Sequence, residues 1–132
     1  MVDALRRAHR IVRRSGCVID LHPTSDLATI EVGDRVIGHV QSDDAPVRHG
    51  AADRAIAAAV EDGVLAIERS ERFSFRTYGD SARELATYIR TIWKTSRIDP
   101  PTLRRMKQAL RRDPRARVRA IEGVIATRLR PL

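Results

Sequence analysis

The sequence predicts an α/β fold: a small mixed sheet of about five strands, a hairpin among them, with helices on its faces. Three observations carry this. Segments with apolar residues at helical spacing alternate along the chain with short extended runs. Gly33-Asp34, between two apolar runs, has the form of a two-residue hairpin loop. The chain has 132 residues and an apolar fraction of 42%, enough for one domain spanning residues 1–132 with a core of its own.

Residues 2–14 place Leu5, Ala8 and Val12, with Ala4 and Ile11 beside them, on one stripe, while arginines occupy much of the rest. Ser15-Gly16 stops this helix, because glycine enters the left-handed C-terminal conformation at little cost. Cys17 to Leu21 is a short apolar run of the kind expected in a strand covered on both faces. After a turn at His22 to Asp26, the runs 28–32 and 35–40 form the hairpin. A two-residue loop sets Val32 opposite Arg35, Ile30 opposite Ile37 and Ala28 opposite His39, with Ile30 and Ile37 facing the body.

Asp44 is a candidate cap before Pro46, and Val47, Ala51, Ala55, Ile56, Ala59 and Val60 recur at helical spacing until Gly63. Residues 64–78 read as extended, with Leu65, Ile67, Phe73 and Phe75 on one inward face. Ser81-Ala82-Arg83-Glu84 is a capping box, in which serine and glutamate each satisfy a free backbone N–H. It opens a helix whose buried stripe is Leu85, Ile89, Ile92 and Trp93. Asp99-Pro100-Pro101 starts another, with Leu103, Met106 and Leu110 inward, and Asp113-Pro114 ends it. The last run, 117–129, changes phase: Val118 and Ala120 lie on one face, Ile121, Ile125 and Leu129 on the other. A bulge near Glu122-Gly123 accounts for the change.

Composition narrows the function classes. Cys17 is the only cysteine, so no intrachain disulfide can form, and the cytoplasm is the expected compartment. No apolar run is long enough to span a membrane. The net charge of +8 would attract phosphate, but all the basic residues except Lys94 and Lys107 are arginines, and they alternate with acids as in Glu68 to Arg72. That pattern reads as a mixed, solvated surface. If any segment touches phosphate, it is the densest basic run: Arg104, Arg105, Arg111, Arg112, Arg115 and Arg117. His22, His39 and His49, with Asp20 and Asp26, match no compact metal-ligand spacing. Cys17 reads as a small apolar filler, Ser81 as a cap, and Phe73, Phe75, Tyr88 and Trp93 as core packing rather than base-stacking platforms. None of these supplies a catalytic or metal site.

The opening, Ala4-Leu5-Arg6-Arg7-Ala8-His9-Arg10-Ile11-Val12-Arg13-Arg14-Ser15-Gly16-Cys17-Val18-Ile19-Asp20, resembles the late helix and fifth strand of class I S-adenosylmethionine-dependent methyltransferases. The later order of extended segment, two helices and final strand is similar to that family's closing antiparallel strands with helical insertions. The resemblance places the loop after the fifth strand beside a substrate pocket, which makes His22, Asp26 and His39 the first choices for ligand contact. The Gly-rich turn that holds the cofactor in that family has no counterpart here, since no Gly-x-Gly occurs. The expectation is a chain that binds no cofactor unless a complementary chain supplies that half.

The same resemblance leaves one edge of Cys17–Leu21 without its neighbouring strand. The hairpin folding back, a second copy or a separate cofactor-binding chain would cover it, and homodimer formation is preferred because it requires no further gene. Three functions follow: a non-catalytic binding or assembly module; the substrate-cap subunit of a split methyltransferase; or a nucleic-acid-binding protein using residues 104–117. The first is the preferred reading, and enzymatic activity is expected only with a partner.

Overall fold

The computed structural model describes residues 2–132; Met1, which leads into the first predicted helix, lies outside them. The elements in chain order are α1 (Val2–Ile11), β1 (Val18–Pro23), β2 (Thr29–Val32), β3 (Arg35–His39), β4 (Gln41–Ser42), α2 (Ala45–Glu61), β5 (Leu65–Gly79), α3 (Ala82–Ile92), β6 (Ser96–Arg97), α4 (Pro100–Arg112) and β7 (Val118–Pro131). The fold is mixed α/β, as predicted. The long strand β7 organises it, pairing with β1 along its C-terminal half, with β2 along its N-terminal half, and with β5. β3 completes this five-stranded sheet by pairing with β2, and β4 and β6 form a separate two-stranded ribbon. The registers β1–β7, β2–β3, β2–β7 and β4–β6 are all antiparallel, where a mixed sheet was expected.

Two compact units share the two long strands. Among the described residues, the first comprises 2–25, Pro46–Phe73 and Gly123–Leu132. Its core is Leu5 of α1, Ala55, Ile56 and Ala59 of α2, Leu65 and Leu129, with Val18 and Val64 packed against it. Gly63 ends the α2 region with φ of 67°, a conformation glycine adopts without strain, and the turn feeds directly into β5. The α2 stripe is rotated from the predicted one: Ala52, Ala55, Ile56 and Ala59 are buried, while Val47 and Val60 are exposed. On α1, Ile11 is exposed as well, so the apolar stripe narrows to Leu5 with Ala8 and Val12 half-buried.

The second unit comprises Asp26–Ala45 and Ser74–Glu122. Ile30, Val32, Val40, Leu85, Ile89, Met106, Val118 and Ala120 fill its core, with Ile37, Trp93, Leu103 and Leu110 against them. Ile92, predicted inward, is exposed, because the α3 stripe is completed by Trp93 instead. The capping box is present: the Glu84 backbone N–H donates to Ser81 Oγ at 3.0 Å, and the Asp80 N–H donates to Glu84 Oε2 at 2.6 Å. Asp99 caps α4 by accepting from the Thr102 N–H at 2.8 Å, and hydrogen bonding from the Thr102 side chain, then from its backbone, holds the Asp99 carboxyl below the usual value.

The hairpin turns at Gly33-Asp34 and pairs Val32 with Arg35, but a register shift between Ile30 and Glu31 sets Ile30 opposite Gly38, not Ile37. The shift places Gly38 under α4, where a Cβ would lie 2.7 Å from Thr102 Oγ1, and leaves the Ile37 carbonyl to accept from Arg105 Nε at 3.0 Å. On the adjoining ladder Glu31 sits directly opposite Arg119, which donates two hydrogen bonds to it at 2.8 and 2.7 Å. That bonding, with a contribution from Tyr78, raises the Arg119 pKa further.

β5 is a single 15-residue strand, yet Ile67 to Arg76 are exposed throughout. Phe73 and Phe75 are therefore surface residues, as is Tyr88 on α3, in place of the predicted core positions. Alternation marks a face of a strand but not what covers it. The phase change in β7 is real: Val118 and Ala120 enter one core and Leu129 the other, with the passage between units falling at Glu122-Gly123. The strand serves two cores in turn, and this explains the pattern that a bulge was invoked for.

Half-buried Glu122 has its carboxyl pushed above the ordinary range by desolvation. The folded chain thus holds this proton more tightly than the unfolded chain, and stability falls as pH rises from the unfolded to the folded pKa. Glu122→Gln should raise the thermal midpoint near neutral pH and leave it unchanged well below the carboxylate range. Equal shifts in melts at both pH values would refute the desolvation account.

Candidate functional site

β1 presents two unlike faces, both within the first unit. Val18, Asp20 and His22 turn to the covered face: Val18 packs on the core, and His22 is buried at 6% exposure. Ile19 and Leu21 turn the other way and are 57% and 62% exposed. The predicted two-faced burial of this strand is therefore corrected to one, because helical cover lies on one side of it only. Cys17, immediately before β1, is exposed rather than the predicted buried filler.

The covered face holds the most connected polar group of this unit. His22 Nδ1 lies 2.5 Å from Asp20 Oδ2, two residues earlier on the same strand, and Nε2 lies 3.1 Å from Asp53 Oδ1 on α2. One turn before Asp53, His49 Nδ1 donates to the Thr24 carbonyl at 2.7 Å. Strand period and helix period cooperate here: positions 20 and 22 share a strand face, positions 49 and 53 share a helix face, and the pairs meet. Both imidazole nitrogens of His22 face carboxylate oxygens, so neither is turned to a substrate, and the side chain is only 7% exposed. These contacts tie β1 to α2. The sequence grouped His49 with His22 and Asp20 but missed Asp53, although the spacing 49/53 was visible in it.

The other anticipated contacts are separate from it. Asp26 and His39 are exposed and belong to the second unit. Of the basic run, Arg105 is tied to the Ile37 carbonyl and to Thr102 Oγ1, each at 3.0 Å, and Arg117 lies over the Tyr78 ring at 4.2 Å. Arg104, Arg111, Arg112 and Arg115 are exposed. Two of the six predicted phosphate contacts are thus occupied by structural duties.

The free edge of β1 is the remaining feature. β1 pairs with β7 and with no other strand among the described residues, so its second edge carries unpaired backbone groups. β5 is likewise paired only with β7, but exposed Glu68, Arg69, Glu71 and Arg72 guard it with charge. β1 lacks that protection, because its ionisable residues Asp20 and His22 are turned inward and bonded to each other.

Among the described residues, the one strand-to-helix turn containing glycine is Gly79-Asp80-Ser81, and a Cβ at Gly79 would lie 2.8 Å from the Leu85 Cβ. That glycine lets a strand end pack on its own helix; it does not clear a path for a ligand. Nor do the described residues include a group of three or more His, Cys, Asp or Glu able to hold a metal ion, or a helix long and apolar enough to cross a membrane. No family model matches the chain, and none of the curated proteins or solved structures compared with it is significantly similar.

Proposed function

We propose that this chain is a non-catalytic assembly module, similar to the closing part of a class I methyltransferase domain, that associates with a second copy through the free edge of β1. One observation carries the reading: an edge strand without charged guards exposes Ile19 and Leu21 on its open face. Three features support the non-catalytic half of it. The chain has no Gly-x-Gly turn, the single buried histidine of the strand has both nitrogens engaged, and the glycine nearest in kind to a ligand turn is required for packing.

The native mass of the purified protein, measured with and without S-adenosylmethionine, tests it. A dimer whose mass ignores the cofactor is the expected result. A monomer at micromolar concentration removes the self-association, and a cofactor-bound species removes the non-catalytic assignment. If the cofactor binds only after a chain with a Gly-rich turn is added, the split-methyltransferase reading replaces this one.

A further inference from the structure

We infer that the two β1 strands pair antiparallel about a two-fold axis at Leu21, an arrangement that rests on the assembly reading above and specifies its register. The argument begins with the direction of the backbone groups. The Thr24 N–H donates to the Gly123 carbonyl at 2.7 Å, continuing the β1–β7 register by one residue beyond Pro23↔Val124. In an antiparallel ladder, hydrogen-bonded and non-hydrogen-bonded positions alternate. Val18, Asp20 and His22 therefore direct their N–H and C=O groups to β7, while Ile19, Leu21 and Pro23 direct theirs to the free edge. Pro23 agrees independently: it has no N–H, and it occupies a position where none is needed for β7.

A two-fold axis perpendicular to the sheet keeps covered faces on one side, so each residue pairs with one of its own parity. Four registers satisfy this within the strand, centred on Ile19, Asp20, Leu21 or His22. Centring on His22 pairs only residues 21–23 of the strand and sets the Leu21 carbonyl against the partner's Pro23, which has no N–H to give. Centring on Asp20 sets the two Asp20 side chains directly opposite at the closer type of pair, about 4.5 Å between Cα atoms, where like charges repel. Centring on Ile19 shifts Leu21 past the strand to meet Cys17 and leaves the Pro23 carbonyl outside the pairing. Centring on Leu21 sets Asp20 opposite the partner's His22, so no two carboxylates meet, and sets Leu21 against the partner's Leu21 on the open face.

The hydrogen bonds follow. The Leu21 N–H donates to the partner's Leu21 carbonyl, and the Ile19 N–H donates to the partner's Pro23 carbonyl, each repeated by symmetry. Only the Ile19 carbonyl loses a donor, since it faces the partner's proline, and it lies at the rim where water reaches it. The missing N–H of Pro23 also ends the pairing there, which limits growth beyond a pair.

Cysteine cross-linking in a Cys17→Ser background tests the register. Leu21→Cys places two thiols on directly opposed residues with Cα atoms about 5.5 Å apart, within disulfide reach, and oxidation should give a covalent dimer in high yield. Ile19→Cys should remain uncross-linked. With the axis at Asp20, the two Leu21 positions would be about 9 Å apart, beyond that reach. The native mass of the unsubstituted chain is measured alongside. A native dimer in which Leu21→Cys fails to cross-link, or Ile19→Cys does so instead, overturns the register and leaves self-association standing. A native monomer overturns both.

Discussion

Replacing His22 with alanine is expected to lower the free energy of unfolding by about 1.5–3 kcal/mol, the range for removing a hydrogen bond to a charged group. The loss arises chiefly at Asp20. Its side chain is 15% exposed and lies 2.5 Å from the imidazole, so removing the ring leaves a largely desolvated carboxylate without that partner. Asp53 contributes less, because at 58% exposure water replaces the lost contact. Denaturant titration of His22→Ala, Asp20→Asn and the double variant closes a cycle in which the double variant recovers part of the single loss. A loss below about 1 kcal/mol for His22→Ala would mean that the pair is no more than a surface ion pair.

Leu129→Ala is expected to cost about 2–5 kcal/mol. Leu129 is fully buried, opposite Val18 across the β1–β7 ladder, and packs with Leu5, Ala55, Ile56, Ala59 and Leu65. Two of these are alanines on one helix, with short side chains that cannot move in to fill the cavity, so the cost should fall in the upper part of the range. Ile11→Ala provides the control: at 84% exposure it should change stability by less than about 0.5 kcal/mol. Comparable losses in the two variants would show that Leu129 is not at the centre of this core.

How far these sites were legible differs between the two. Leu129 was visible as the end of an apolar alternation, which marks the face it lies on, while its cover comes from Leu5, Ala55, Ile56, Ala59 and Leu65. The His22 group was half visible: the sequence grouped His22 with Asp20 and His49, but also with Asp26 and His39, which the fold places in the other unit. Its second partner, Asp53, lies 31 residues away, and only the packing of α2 on β1 brings the two together.

The sequence by itself determined the elements that depend on nearest neighbours: the capping box at Ser81 and Glu84, the Asp99 cap, the turn at Gly33-Asp34, the end of the α2 pattern at Gly63 and the phase change at Gly123. Each is set by backbone chemistry within a few residues, so local composition suffices. Tertiary structure alone decided which apolar faces are covered. Ile19, Leu21, Phe73 and Phe75 have the same alternating period as Ile30 and Val32, yet the former are exposed and the latter buried. Periodicity specifies that a strand has an apolar face, whereas burial requires another element to arrive over it, and that depends on contacts between residues distant in the chain.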